Sequence, residues 1–303
     1  LRSTLLLTSL ISSLSFFLAS APLLGEMIAT TAPLRSLKNP PSDLNLAYEE
    51  VAFPTTDGLT LRGWFFPTSS SDAPAILYAP ATAKDQRQGL SLVRPLHDAG
   101  FHVLLFSYRG SGESEGNRFA FSYGARESQD VDAAVQYLTE TRGLPCVGGI
   151  GHSAGAVALI LSAARTPNLR AVVAAAPFPS LADAWRVNRP AFFPVPLYEH
   201  VMRLSEWRKG FSRDEVRPLD VVHRLSPRPI LFVFGRADRR IPPEEAVRLY
   251  AAAENPKAII WLPNATHEQV RSPGLDHLMP QLIHFFHTSL STAPECQHIL
   301  TSP

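Results

Sequence analysis

Cysteine is scarce in this chain, with two residues in 303, Cys146 and Cys296. Cys146 leads into an apolar run and reads as a core residue, whereas Cys296 sits in a polar tail. No Cys/His cluster has metal-ligand spacing, so neither a disulfide framework nor a metal site is expected. An excess of one charge is missing too. The 28 Lys and Arg against 27 Asp and Glu leave a formal net charge of +1, with no long run of either sign. That balance argues against nucleic acid or a strongly acidic polymer as partner. Internal repeats and low-complexity tracts are also lacking. What is present is ordinary for a folded protein, 45% hydrophobic residues. One α/β domain of roughly 250 residues fits, and at that size about 70–75% of the unfolded surface is buried.

The first 25 residues differ in kind. Ser3 to Gly25 carries no charge, and residues 5–24 are mostly Leu, Ile, Phe and Ala. Twenty helical residues span about 30 Å, the thickness of a bilayer core. Three readings stand side by side: an uncleaved N-terminal anchor, a cleaved export signal ending at Ala19-Ser20-Ala21, or an amphipathic helix packed on the domain. Either of the first two makes the protein membrane-anchored or exported. Residues 26–45, Thr-rich and then broken by Pro40-Pro41, read as a linker.

From residue 46 to about 290 the pattern is that of a single domain. Val51–Phe53 and Leu59–Phe66, joined by the turn pair Asp57-Gly58, read as a hairpin. Ala75–Tyr78, Phe101–Tyr108, Val147–Gly151, Ala171–Ala175, Ile230–Gly235 and Ala258–Leu262 then read as strands. Helices are expected near Gln88–Asp98, Ser128–Glu140, Ala154–Arg165 and Leu275–Leu290. Alternation at this spacing predicts a mostly parallel sheet covered on both faces. The interval 178–228 breaks the rhythm. It holds Pro190, Pro194 and Pro196 among Trp185, Phe192, Phe193, Tyr198 and Trp207. It is expected to be an inserted cap, whose aromatics either line a pocket or pack its own core. Residues 291–303 are expected to form a frayed tail.

Chemistry concentrates at Gly151-His152-Ser153-Ala154-Gly155. A serine on a tight strand-to-helix turn has strained backbone, flanking glycines relieve the crowding, and the hydroxyl projects from the sheet edge. The helix N-terminus aims its positive end at a developing oxyanion. A serine hydroxyl needs a base. In the order Ser…Asp…His, Asp238 follows a core strand and His267 is the first histidine after it. Asp238 would orient the imidazole of His267. Asp214 and Asp220 fall in the cap, and His277, His284 and His287 on the last helix. His152 is expected to be a packed or hydrogen-bonded neighbour. The oxyanion hole needs two N–H groups, one from Ala154 and one from the loop Ala79-Pro80-Ala81-Thr82. Pro80 has no N–H, which leaves Ala81. Arg236, Arg239 and Arg240 flank Asp238 and read as a basic loop or as contacts for an acidic substrate group.

Five stretches together resemble the α/β-hydrolase superfamily, in its lysophospholipase- and serine-aminopeptidase-like bacterial branch. They are Asp57–Trp64, Tyr108–Ser114, Gly151–Gly155, Gly235–Asp238 and His267. The resemblance implies an eight-stranded fold with an antiparallel second strand and a small cap. It further implies carboxyl-ester or related acyl hydrolysis of a small-molecule substrate without a cofactor. Three positions depart from the family pattern. Ala79-Pro80 stands where His-Gly is usual, Ser107 where Asp precedes Tyr-Arg-Gly, and Thr266 where Gly precedes the histidine. Amidase, thioesterase or acyltransferase chemistry, and a membrane-tethered non-catalytic binding protein, are the competing readings.

Overall fold

The computed structural model describes residues 24–27, 30, 31, 44–291 and 296. The uncharged run expected as anchor or signal lies outside the described residues, apart from Leu24 and Gly25. Among the described residues no helix is long and apolar enough to cross a membrane.

Eight strands form one sheet. They are β1 (Glu49–Pro54), β2 (Thr60–Phe66), β3 (Ala75–Ala79), β4 (His102–Phe106), β5 (Val147–His152), β6 (Leu169–Ala175), β7 (Ile230–Gly235) and β8 (Lys257–Leu262). Their order is β1-β2-β4-β3-β5-β6-β7-β8. β2 is antiparallel to both its neighbours, and every pairing from β4 to β8 is parallel. This is the α/β-hydrolase fold. The central strands β3, β4, β5 and β7 are buried at every position. That explains why they read in the sequence as continuous apolar runs rather than alternations. β8 closes the sheet as an edge strand and is only partly buried.

Helices cover both faces. Helices α1 (Leu90–Asp98) and α7 (Met279–Ser291) pack on one side, where Leu92, Val93, Leu96, Leu282 and Phe286 are buried. On the other lie α2 (Glu127–Gln136), α3 (Ala154–Ala163) and α6 (Pro243–Ala252). Helix α3 has no exposed side: all ten of its residues are buried, and small residues at Ala156, Ala158 and Ala163 let it lie close to β5 and β6. α7 begins at Met279 rather than near Leu275, and Pro280 in its first turn has no N–H to bond back to the preceding turn.

The interval after β6 forms a helical cap: α4 (Leu181–Asn188), α5 (Val195–Lys209), and short helical turns before β7. Ser180 caps α4 by accepting from the Asp183 N–H, and Gly210 ends α5 in the left-handed conformation.

One expectation is overturned. Cys146 and Cys296 form a disulfide, with Cα atoms 5.6 Å apart and 150 residues between them in sequence. It ties the segment after α7 to the foot of β5, and both cysteines are buried. A lone pair at this separation has no spacing motif, so the sequence did not announce it. Closing a loop of that length stabilises by roughly 5 kcal/mol in the chain-entropy picture. Thiol titration of the unreduced, denatured protein should therefore find no free thiol, and Cys296→Ser should lower stability by about 2–5 kcal/mol. Two titratable thiols in the untreated protein would refute the bond.

Candidate active site

Strand order reverses between β3 and β5, since β4 lies on one side of β3 while β5 to β8 proceed on the other. At such a switch point the loops leaving the two strands part and open a crevice at their carboxyl ends. The loop after β3 carries Ala79–Ala81, and the turn after β5 carries Ser153.

Ser153 has φ 55° and ψ −122°, a backbone region that few non-glycine residues adopt. The turn exists because the chain around it is packed backbone to backbone. A Cβ on Gly155 would lie 2.1 Å from the Ala79 carbonyl oxygen and 2.5 Å from that of Pro80. A Cβ on Gly151 would lie 2.6 Å from the Gly155 carbonyl carbon. Both glycines of the G-x-S-x-G motif are thus explained by contact, not by local flexibility. The Ser153 N–H donates to the Ala175 carbonyl at 2.8 Å, which fastens the turn to the end of β6.

The structure brings Ser153, Asp238 and His267 together. His267 Nε2 lies 2.9 Å from Ser153 Oγ, and its Nδ1 lies 2.8 Å from Asp238 Oδ2. A carboxylate only accepts, so Nδ1 carries the proton and Nε2 is left to accept from the serine hydroxyl. Asp238 is 2% exposed. Its other oxygen, Oδ1, accepts from the Arg240 and Ile241 N–H groups at 2.8 and 2.9 Å. These bonds hold a buried carboxylate in one orientation without a neighbouring cation. The loops of Asp238 and His267 are locked together at Gly235, where a Cβ would meet the Ala265 carbonyl oxygen at 2.1 Å. Thr266 and Gln269 form a capping box on the short helical turn that begins with His267. Thr266 therefore supplies a cap that glycine lacks.

His152 is buried beside the site, and its Nε2 donates to the His267 backbone carbonyl at 2.9 Å. Burial, reinforced by the facing His267 ring, pushes its pKa down to about 3. It is the packed, hydrogen-bonded neighbour expected from the sequence, and it fixes the backbone of His267. The ordinary value is 6.5. Between the two values the unfolded chain holds the extra proton, so stability is full above about 6.5 and falls as pH drops toward 3, by up to about 1.4 kcal/mol per unit. His152→Gln should accordingly reduce proton uptake on unfolding near pH 5 by about one proton. Identical uptake in the two proteins would mean that His152 is not held neutral.

The Ala154 N–H, at the first position of α3, has no acceptor within the helix. The Ala81 N–H is engaged. It donates to Gln88 Oε1 at 2.7 Å, so this expected donor is not free in the unliganded site. Gln88 has no signal of its own in the sequence, being a polar residue two positions before an amphipathic helix. Ser107, in the place of the usual aspartate, donates to Gln86 Oε1 at 2.7 Å and accepts from the Gln86 N–H at 3.2 Å, bracing the same loop. Arg109 joins Asp130 and Asp57 beneath it.

A cavity of about 570 Å³ opens above Ser153. Tyr123, Phe178, Leu181, Trp185 and Ile241 give it an apolar side, while Lys84, Asn188, Arg240 and Glu268 supply polar groups. The cap aromatics divide. Trp185 lines the cavity, Phe193 and Tyr198 pack together in the cap core, and Phe192 and Trp207 are exposed. Of the basic loop, Arg240 lines the cavity and pairs with Glu268, whereas Arg236 lies over the Trp261 ring. Thr30 also lines the cavity. It comes from the segment read as a linker, and is held there by Glu26 and Lys209. The Lys209 ammonium, fully buried, pairs with Glu26 and donates to Thr30 Oγ1 at 2.9 Å; Tyr123 and Arg208 also bind Glu26. Among the described residues no cluster of His, Cys, Asp or Glu is arranged to hold a metal ion.

Similarity to known proteins places the chain. Residues 89–291 match the prolyl oligopeptidase family. The protein Rv2307c of Mycobacterium tuberculosis is 32% identical over 227 residues, covering 73% of each chain. WAV2 of Arabidopsis thaliana, described as an alpha/beta hydrolase domain-containing protein, is 27% identical over 75% of this chain and 74% of its own. Among solved structures, the Pyrococcus furiosus esterase Pf2001 superposes with a TM-score of 0.69 at 22% identity, over 86% of this chain and 99% of its own. An esterase domain from a Rhodothermus marinus protein gives 0.57 at 21% identity, over 80% and 100%. At those identities the structures share the fold. The chain belongs to the prolyl oligopeptidase family, within the serine hydrolases of the α/β-hydrolase superfamily.

Proposed function

We propose that the protein hydrolyses carboxyl esters or related acyl substrates through an acyl-enzyme on Ser153. The observation that carries this reading is the unbroken hydrogen-bonded line from Ser153 Oγ through the His267 ring to buried Asp238, at 2.9 and 2.8 Å. Ser153 Oγ attacks the substrate carbonyl carbon while its proton passes to His267 Nε2. The oxyanion is held by the Ala154 N–H and, once Gln88 yields, by that of Ala81. The tetrahedral adduct collapses, and the leaving group departs with the proton from His267. Water then adds to the acyl carbon, giving a proton to His267, and the acid is released as Ser153 regains its hydrogen. Asp238 stabilises the imidazolium formed in each half-reaction.

Membership in the prolyl oligopeptidase family favours a second reading, hydrolysis of a peptide amide at the same serine. The two differ in leaving group and not in machinery, so matched ester and amide substrates separate them. Residues 5–24 are read as an N-terminal anchor or export signal. The disulfide supports that placement, because such bonds persist in oxidising compartments outside the cytosol.

Two measurements test the catalytic reading. A fluorophosphonate probe should label the wild-type protein and not Ser153→Ala; equal labelling of both would remove Ser153 from its role. Gln88→Glu puts a fixed negative charge against the Ala81 N–H, where the oxyanion would form. It should lower kcat by about 10²-fold, the loss typical of a disabled oxyanion donor. Gln88→Ala, which only uncovers the donor, should stay within a few-fold of wild type. Full activity in Gln88→Glu would exclude Ala81 from the oxyanion hole.

A further inference from the structure

Seven large apolar side chains are exposed among the described residues, and six of them lie on the cap or on segments fastened to it. On the cap, Phe192 is 86% and Trp207 79% exposed, and Val195 and Leu204, between them in sequence, are exposed as well. Leu24 precedes Glu26, which is held by Lys209 and Arg208 next to Trp207. Phe119 accepts from Arg208 through its carbonyl at 3.4 Å. The seventh, Val247, stands apart on α6.

The outward stripe of α5 makes the pattern sharper. Its exposed positions from Pro196 onward are Pro196, His200, Arg203, Leu204 and Trp207, a helical spacing that puts them on one face. No acid lies among them. The acids of this helix, Glu199 and Glu206, both pair with Arg213, at 2.8 Å each. Aromatic, aliphatic and cationic side chains without acids are the composition of a helix face that lies in a membrane interface. Exposed rings gathered in one patch are otherwise unfavourable on a soluble surface.

An independent observation says what covers this face. The uncharged residues 5–24 lead directly into Glu26, and Glu26 is fastened to the cap by a buried ion pair. If those residues insert in a bilayer, the latch leaves no slack, and the cap must meet the lipid surface where the chain leaves it. We propose that the exposed face of α5, with Phe192, Phe119 and Leu24, docks on a bilayer containing anionic lipid. This rests on the anchor reading of residues 5–24. It deepens the proposed function, because Thr30, four residues past the latch, lines the cavity over Ser153. The cavity then opens beside the membrane, and its substrates are amphiphilic esters resident there.

Trp207 reports the docking directly, since Trp64 and Trp185 are buried and Trp261 is half-buried under Arg236. The full chain is reconstituted in vesicles of equimolar phosphatidylcholine and phosphatidylglycerol, with plain or brominated acyl chains. Brominated chains should quench part of the tryptophan emission, and that part should vanish in Trp207→Phe. Phe192→Glu with Trp207→Glu should cut hydrolysis of a vesicle-borne ester about tenfold relative to a water-soluble one. Protein that fails to float with the vesicles overturns the anchor reading and the docking together. Protein that floats, with Trp207 open to acrylamide and untouched by bromine, overturns the docking alone. Trp207 shielded from both quenchers means that residues 5–24 cover the cap themselves, and also overturns it. Fluorophosphonate labelling of the same variants keeps failure of the catalytic reading distinguishable.

Discussion

The contact between the Gly155 backbone and the Ala79 and Pro80 carbonyls sets the geometry on which the rest of the site depends. It requires β3 and β5 to be adjacent, which fixes the switch point of the sheet. It requires glycine at residue 155, because any side chain there would enter the carbonyls. With α3 pressed so close, the chain can leave β5 only through a tight turn, and Ser153 carries the strain at φ 55°. The strained residue and the proposed nucleophile are the same because a turn of this shape leaves the hydroxyl standing clear of both strand and helix. All ten residues of α3 are buried, so the turn cannot relax without opening the core.

Electrostatic order follows from the same packing. Asp238 is buried as a carboxylate but not isolated, because two backbone N–H groups and the His267 ring consume its oxygens. His152 presents the opposite case. It is buried with one partner and is kept neutral down to about 3. A second imidazolium against His267 would oppose the charge that the proposed mechanism creates there. A neutral His152 avoids this and still donates to the His267 carbonyl. Two adjacent histidines thereby have different tasks, one moving protons in the proposed mechanism and one holding backbone.

Much of this was legible in the sequence, and particular residues show why. The parallel strands were readable because burial on both faces removes polar positions, as in Ile230–Gly235. Ser153, Asp238 and His267 could be grouped from the sequence because each follows a strand of the parallel sheet, and strand ends are where an open sheet gathers its ligands. Contacts formed between distant segments were not readable. Cys146 and Cys296 lie 150 residues apart with no motif to join them. Gln88 reaches the Ala81 N–H only once the loop after β3 has folded. Glu26 and Lys209 are separated by most of the chain, and nothing in a Thr-rich stretch signals that one carboxylate will be buried against the cap.

That last pair changes what the cap is. A cap held only by its own hinges is a lid over a general hydrolase. Here Glu26 receives Lys209, Arg208 and Tyr123 at once. Burial lowers the Lys209 pKa while the Glu26 carboxylate opposes the shift, as expected for a charge that depends on its partner. Removing Glu26 would leave the Lys209 ammonium buried without its ion-pair partner, which typically costs about 3–5 kcal/mol. Glu26 is therefore structurally part of the cap, and Thr30, bound by Lys209, is part of the cavity wall. Three distant stretches meet at the cavity wall: Thr30, the loop around Tyr123, and α4 with Trp185. None of the three contains a residue of the proposed triad. The fold brings Ser153, Asp238 and His267 together at the sheet edge, and the latch ties a distant segment to the cavity above them.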